Sequence, residues 1–327
     1  MNPAVFDPSD PTLSGGIPGA SRLIATPPGH RSGYVTLLGR PNVGKSTLLN
    51  RLLGTKLAIV SGKPQTTRNR IVGVRTEPGC QIVFLDTPGI HKPKEALNRF
   101  MVKEALGSIA DADIAVVLVA ADESIGKGDQ FVVERVREAE IPFVMVLNKI
   151  DLVAPTKLQV LWEKLHRVGQ GALDLIALSA LKDSGVSALL ALLKAHLPEG
   201  PMFYPADTVT DRSLKFLLAE LIREQVFEHT REELPYASAV HIAEVDRRDG
   251  EEPSVVKATL AVENPSQKGI VIGKKGEMLK RIGTAARREM EKLLETKVYL
   301  ELHVEVAKGW RRDPKELRKL GYTEEEI

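Results

Sequence analysis

Gly39-Arg40-Pro41-Asn42-Val43-Gly44-Lys45-Ser46 matches the pattern G-x-x-x-x-G-K-[ST] in full, and its neighbours supply the context that pattern needs. The preceding run, Gly33-Tyr34-Val35-Thr36-Leu37-Leu38, reads as a short buried strand. Ser46 to Leu53 reads as a helix, entered through Thr47 and ended by Gly54. Strand, glycine-rich turn and helix start together make a phosphate cradle. The glycines let backbone N–H groups curl around a β-phosphate, and the helix N-terminus adds partial positive charge. Lys45 then reaches the β- and γ-phosphates, and the Ser46 hydroxyl is placed to ligate Mg²⁺.

Two further motifs stand at the ends of apolar runs downstream. Gln81-Ile82-Val83-Phe84-Leu85 leads into Asp86-Thr87-Pro88-Gly89. A carboxylate at the C-terminal edge of a strand in the same sheet can hold Mg²⁺ through water, and Gly89 offers a backbone N–H to the γ-phosphate. Phe143-Val144-Met145-Val146-Leu147 delivers Asn148-Lys149-Ile150-Asp151. Asp151 can accept two hydrogen bonds from guanine N1 and N2, which adenine cannot donate. Such a site discriminates by about 10⁴ or more, because the wrong base leaves a buried carboxylate unpaired. Leu175-Ile176-Ala177-Leu178 is followed by Ser179-Ala180-Leu181-Lys182, where the Ala180 N–H is expected to read guanine O6. The ligand implied is GTP or GDP, with Mg²⁺.

From about Gly33 to His196 apolar strands alternate with helix-like stretches. The helices are expected at Lys94 to Ile109, Gln130 to Ala139, Thr156 to Val168 and Val186 to His196, with a further strand at Ile114 to Val119. Leu57-Ala58-Ile59-Val60 and Ile71-Val72-Gly73-Val74 are expected as strands flanking a polar loop. This alternation predicts an α/β domain with a mostly parallel sheet covered on both faces, and all the motifs fall on loops at one edge of it. The first 30 or so residues, rich in Pro, Gly, Ser and Ala, read as a mobile extension. Leu197-Pro198-Glu199-Gly200-Pro201, with Pro205 soon after, reads as a linker. The expected division is 1–30, 31–200, a linker at 201–212, and 213–327.

The second half changes style. Ser213 to Phe227 has helical apolar spacing, and Ala239 to Val245 and Ser254 to Val262 look like strands joined by a polar turn. Gly269-Ile270-Val271-Ile272-Gly273-Lys274-Lys275-Gly276 precedes a long helix from about Glu277 to Leu294. Val298 to Val304 alternates as a strand should. The order α-β-β-α-α-β, with Gly-x-x-Gly at the helix-to-helix turn, resembles a smaller α+β type II KH domain. Glycines at the ends of that turn let a nucleic-acid phosphate approach the main chain, while bases are read alongside, roughly four at a time. From Lys268 to Arg288 seven basic residues face one acid, a net of +6, so the charge is a local patch. The candidate RNA contacts are Ile272, Gly273, Lys274, Lys275, Gly276, Lys280, Arg281, Arg287 and Arg288. Trp310 and Arg311 extend the set: an aromatic flanked by cations can stack a base. The alternative for Trp310 is an anchor for a short C-terminal helix, Pro314 to Leu320.

The ordered motifs resemble a Ras-like GTPase domain of the translation-factor class, and Lys63-Pro64-Gln65-Thr66-Thr67-Arg68 is similar to the first switch segment of the Era family. A single GTPase domain followed by a KH domain with an intact Gly-x-x-Gly carries that resemblance from about Gly33 to Tyr322. By the family pattern Thr67 closes over Mg²⁺ and the γ-phosphate, with Thr66 the competitor, and the Mg²⁺ set becomes Ser46, Thr67 and Asp86. The catalytic candidates are Lys45, Thr67 and Gly89. Ile90 stands where Ras-like enzymes carry a water-orienting glutamine, which implies slow hydrolysis that needs assistance. Asn42 matches an asparagine that related GTPases use to hold K⁺ beside the phosphates. The resemblance further implies binding to the 3′ end of 16S rRNA, action on 30S subunits, a monomer, and peripheral association with the cytoplasmic membrane.

Composition agrees with this frame. The 327 residues suit two domains, 43% hydrophobic content is ample for packed cores, and 27% charged content is ordinary. Cys80 is the one cysteine, which excludes an internal disulfide or a cysteine metal cluster and fits a cytoplasmic location. No apolar run approaches the roughly 18 residues of a membrane span. Asp7 and Asp10, without an early basic cluster, argue against a targeting peptide.

Overall fold

The computed structural model describes residues 26–63, 66–89, 96–248, 252–320 and 322. These form two compact units. Residues 26–58, 67–89 and 101–213 belong to the first; 59–63, 66, 96–100, 214–248, 252–320 and 322 belong to the second.

The first unit follows the alternation expected of it. Its elements are β1 (Arg31–Gly39), α1 (Lys45–Leu53), β2 (Ile71–Glu77), β3 (Cys80–Asp86), α2 (Ala96–Ala110, entering from the second unit), β4 (Ile114–Ala120), α3 (Lys127–Glu138), β5 (Phe143–Asn148), α4 (Pro155–Val168), β6 (Asp174–Ala177) and α5 (Val186–His196). They build a six-stranded sheet of order β2-β3-β1-β4-β5-β6, parallel except for β2, which runs antiparallel to β3. Every residue of β3, β4 and β5 is buried. Unbroken apolar runs rather than alternation are what a sheet covered on both faces demands. On one face Val117, Val119, Met145 and Leu147 pack with Val132 and Val136 of α3 and Leu161 and Leu165 of α4. Each such side chain contributes about 1.5–3 kcal/mol by leaving water. Because β1, β3 and β5 run in one direction, the loops after them open at the same edge.

One expectation fails here. Residues 57–60 form no strand. The backbone there is satisfied by one side chain: Asn50 Oδ1 accepts from Leu57 N and Ala58 N, and Asn50 Nδ2 donates to the Ala58 carbonyl, all at 2.9 Å. A short apolar run whose polar groups are met in this way has no need of a ladder. The Pro- and Gly-rich stretch after α5, read as a linker, is hydrogen-bonded to the sheet. Gln81 Oε1 accepts from Phe203 N at 2.7 Å and Tyr204 N at 3.0 Å, and Gln81 Nε2 donates to the Tyr204 carbonyl at 2.8 Å. Val74 N then donates to the Val209 carbonyl at 2.7 Å, and Thr210 Oγ1 to the Val72 carbonyl at 2.6 Å. The segment therefore covers the outer edge of β2, an edge that would otherwise present unpaired backbone groups.

The second unit contains α6 (Leu214–His229), a one-turn α7 (Leu234–Ala237), β7 (Ala239–Asp246), β8 (Ser254–Val262), α8 (Pro265–Ile272), α9 (Glu277–Leu294), β9 (Val298–Val306) and α10 (Pro314–Lys319). β7 pairs antiparallel with β8, and β8 parallel with β9. The parallel pair needs a long crossover, which α8 and α9 supply. Leu218, Ile222 and Val226 of α6 and Ile282, Ala286 and Met290 of α9 recur every fourth residue and close the core against Val256, Ala258 and Leu260 of β8. The second unit thus follows the order α-β-β-α-α-β expected of it, with the one-turn α7 the element its sequence pattern did not announce. Among the described residues no helix is long and apolar enough to cross a membrane.

Candidate functional site

Gly39 ends β1 at φ 148°, beside Leu118 of β4; a Cβ there would lie 2.6 Å from the Leu118 carbonyl oxygen. Asn42 and Gly44 both take positive φ, 66° and 97°. Gly44 is the N-cap of α1, and a Cβ on it would come within 2.3 Å of Asn148 Nδ2. Glycine is thus required twice, by dihedral and by space. Lys45 is buried and donates to the carbonyls of Gly39 (3.2 Å) and Arg40 (3.1 Å), so its ammonium lies along the inside of the loop. Burial pushes it down to about 8, opposed by the charge of Asp86. The Arg40 side chain is committed elsewhere, paired with Glu123 and Asp129. Pro41 meets the other motif: a Cβ on Gly89 would lie 2.7 Å from the Pro41 nitrogen, so the two loops touch. Val43 is buried, Thr47 half-buried and Asn42 exposed.

Three oxygens converge at the start of α1. Ser46 Oγ donates to Asp86 Oδ2 at 2.7 Å and Thr67 Oγ1 donates to the same atom at 3.2 Å; the two hydroxyls are 2.9 Å apart. Asp86 is fully buried, and its Oδ1 has no hydrogen-bond partner among the described residues. Burial pushes the carboxyl up from its ordinary range, against the lowering effect of Lys45 and the two hydroxyls. A buried carboxylate flanked by two hydroxyl oxygens and left with an idle lone pair is a hard-oxygen donor set of the kind Mg²⁺ takes. Thr67, rather than Thr66, stands in this cluster. The Thr87 hydroxyl is turned away, donating to the Leu37 carbonyl at 2.8 Å and tying the loop to β1. Pro88 is buried beside it, and Ile90 lies outside the described residues, as do Pro64 and Gln65.

Asn148 is a brace. Its Nδ2 donates to the Val43 carbonyl at 2.8 Å, and its Oδ1 accepts from Ala180 N at 3.0 Å, so one buried amide joins the phosphate loop to the 179–181 loop. The Ala180 N–H, expected to read guanine O6, donates here to Asn148. Lys149 adopts φ 62° and pairs with Asp122 at 3.1 Å. Ile150 N reaches the Leu178 carbonyl at 3.4 Å, and Asp151 presents an exposed carboxylate on the following 3₁₀ turn. Lys182 N donates to Ser179 Oγ at 3.1 Å, while Leu181 is 60% exposed at the mouth of the site. Arg51 was not singled out from the sequence. Its Nε and Nη2 donate to the Ala180 and Leu181 carbonyls at 3.1 and 2.9 Å, a contact between elements 129 residues apart that no local pattern signals.

In the second unit Gly273 (φ 72°), Lys275 (φ 52°) and Gly276 (φ 79°) form a tight turn between α8 and α9. Gly273 is held close to α9, since a Cβ on it would lie 2.7 Å from Met278 Cβ, whereas Gly276 has open space around it. Lys274, Lys275, Lys280, Arg281 and Arg288 are exposed; Ile272 and Arg287 are half-buried, the latter paired with Glu291 at 2.8 Å. Lys280, Arg281 and Arg288 line one groove of about 640 Å³ with Thr284. Trp310 does not belong to this surface. It is fully buried, donates from Nε1 to the Ala237 carbonyl at 3.0 Å and stacks on Tyr322 at 5.7 Å. No face of it is open to a base. Arg311 is likewise turned inward, onto the carboxylate of Glu263.

Comparison with known proteins places these features in a family. Residues 34–149 match the family described as 50S ribosome-binding GTPase, and residues 233–311 match the KH domain family. The chain is 48% identical over 295 residues to GTPase Era of Geobacter metallireducens, covering 90% of this chain and 98% of the relative. It is 46% identical over 297 residues to GTPase Era of Lactobacillus helveticus, covering 91% and 98%. Among solved structures it resembles Era in complex with MgGDPNP and nucleotides 1506–1542 of 16S ribosomal RNA, at 40% identity and a TM-score of 0.87, covering 90% of this chain and all of that one. An Aquifex aeolicus Era variant bound to GDP and AlF₄⁻ gives 0.86, also at 40% identity. The chain belongs to the Era family of GTPases.

Proposed function

We propose that this GTPase couples its nucleotide state to binding of the 3′ end of 16S rRNA during assembly of the 30S subunit, with residues 31–200 as the switch and 213–327 as the RNA clamp. The convergence of Ser46, Thr67 and Asp86 beside buried Lys45 carries the nucleotide half of this reading. Ser46, Thr67 and Asp86 would hold Mg²⁺, whose chemistry there is neutralisation of charge on the phosphates. Lys45 binds the β- and γ-phosphates, the Gly44 and Gly89 backbones close around them, and the Asp151 carboxylate selects guanine. The Asn42 amide, exposed on the loop, would hold K⁺ and supply the assistance that Ile90 cannot.

The RNA half rests on the exposed Lys274-Lys275 turn and on the likeness to the Era structure that contains 16S nucleotides. The protein acts as a cytoplasmic monomer, and the basic surface from Lys268 to Arg288 is also the surface that would meet anionic lipid at the membrane. One experiment tests the reading: GTP turnover in K⁺ and in Na⁺ buffer, with and without a short RNA of the 16S 3′ end, for the parent and Lys45→Ala. Turnover should rise with K⁺ and with RNA and vanish in Lys45→Ala. Retained hydrolysis in that variant refutes the site, and equal rates in K⁺ and Na⁺ refute the role of Asn42. Co-sedimentation with anionic vesicles that is unchanged in Lys274→Glu/Lys275→Glu refutes the membrane role of the patch.

A further inference from the structure

Between Ala58 and Thr67 the chain leaves the first unit and joins the second. Three described residues of that stretch bond to α6. Val60 N donates to Glu224 Oε1 at 3.2 Å. Lys63 Nζ donates to the Phe227 carbonyl and, at 2.5 Å, to the Thr230 carbonyl. These lie at the C-terminal end of the helix, where idle carbonyls and the helix dipole favour a cation. The Thr66 carbonyl accepts from Arg223 Nη2. The Arg223 side chain is only 2% exposed; it donates to both oxygens of Glu220 at 2.6 Å and lies 5.4 Å from the Phe227 ring centre.

A guanidinium is expensive to bury unless its donors are used. Packing does not ask for one on α6, since the core face of that helix is already complete with Leu218, Ile222 and Val226. What Arg223 reaches is the carbonyl of the residue immediately before Thr67. One peptide further on, the Thr67 hydroxyl stands with Ser46 and Asp86. Any displacement of Thr67 must therefore be absorbed within a single residue or be passed to α6.

We propose that Arg223, seconded by Lys63, is a positioning residue for GTP hydrolysis. It fixes the Thr66–Thr67 peptide so that the Thr67 hydroxyl is held ready for the nucleotide-bound Mg²⁺, and it makes α6 the element through which the state of Thr67 reaches the RNA-binding unit. Both residues are bonded to protein groups and act through the Thr66–Thr67 peptide. This anchoring rests on the assignment of Thr67 to the Mg²⁺ site, and the two can fail separately.

The test compares Arg223→Met, Arg223→Lys, Lys63→Met and Thr67→Ala in the full chain. GDP affinity, Mg²⁺ dependence of GTP-analogue binding, kcat, and the ratio of RNA affinities in analogue and GDP are measured for each. Arg223→Met and Lys63→Met should each raise the Mg²⁺ needed for half-maximal analogue binding and lower kcat, both about tenfold. They should also bring the RNA affinity ratio towards one while GDP affinity is unchanged. Arg223→Lys, which keeps a donor to the Thr66 carbonyl, should recover most of both effects. If Arg223→Met does not fold, half-buried Lys63 carries the test alone. Folded variants with the parent's Mg²⁺ requirement and RNA ratio overturn the anchor, provided Thr67→Ala is impaired. Parent-like behaviour of Thr67→Ala instead overturns the assignment of Thr67.

Discussion

At the scale of single residues, two positions turn the geometry of the phosphate loop into measurable behaviour. Gly44→Ala places a Cβ against Asn148 and a side chain at φ 97°. It should lower stability by about 1–3 kcal/mol and weaken GDP binding at least tenfold, read by thermal denaturation and nucleotide titration. Lys45 gives a pH signature. Burial without a phosphate disfavours its charged form and holds it at about 8, well below the usual lysine range. Triphosphate restores the charge, so binding takes up a proton once the pH exceeds about 8, and nucleotide affinity should fall with rising pH from there. Below about 8 the lysine is already charged and affinity should be flat with respect to this group. The sign for folding is opposite: the unfolded chain binds the extra proton between about 8 and 10.4, so the nucleotide-free protein gains stability from this group as pH rises across that window. Calorimetry in buffers of different ionisation enthalpy checks the proton uptake; a binding heat at pH 9 independent of buffer contradicts it. Much of this site was legible beforehand, because Gly44, Lys45, Ser46, Asp86 and Asp151 sit in motifs whose residue types follow from phosphate, Mg²⁺ and guanine chemistry. Trp310 was not. A tryptophan between cations suits a base or a core equally well, and its partners, Ala237 and Tyr322, are brought to it only by the fold.

At the scale of elements, the sheet was readable as unbroken apolar runs, while the segments that hold it in register were not. Asn50 replaces a strand at residues 57–60, and Gln81 fastens the chain after α5 with three hydrogen bonds from one side chain. Both are polar side chains that replace a ladder; Asn50 bonds to residues 57 and 58 just ahead of it, whereas the partners of Gln81, residues 203 and 204, lie outside any local window. Asn148 belongs to the same class, with a known motif but an unanticipated task. Asn148→Ala strands the Val43 carbonyl and the Ala180 N–H; each idle buried group costs about 1–3 kcal/mol. Nucleotide affinity should therefore fall even though the Asp151 carboxylate remains, which titration with GDP will show. The turn between α8 and α9 offers a parallel case in the other unit. Lys274→Ala/Lys275→Ala should weaken RNA binding and flatten its salt dependence, lowering the slope of log K against log salt by roughly 0.7 for each phosphate no longer neutralised. An unchanged slope would show that these exposed lysines are not on the RNA.

At the scale of the whole molecule, two units, for which nucleotide and RNA are the proposed ligands, share one chain that crosses between them next to Thr67. If the ligands are coupled, the coupling is reciprocal: whatever factor GTP applies to RNA affinity, RNA applies to GTP affinity. Hydrolysis then becomes a timed release of RNA, and slow intrinsic turnover is what a timer requires. The most direct check is the affinity of the full chain for a 16S 3′-end oligonucleotide, measured by titration at fixed salt with Mg²⁺ and either a non-hydrolysable GTP analogue or GDP. Binding should be tighter with the analogue by at least fivefold, the lower end of ordinary allosteric coupling. Equal affinity in the two states would contradict nucleotide control of the RNA clamp.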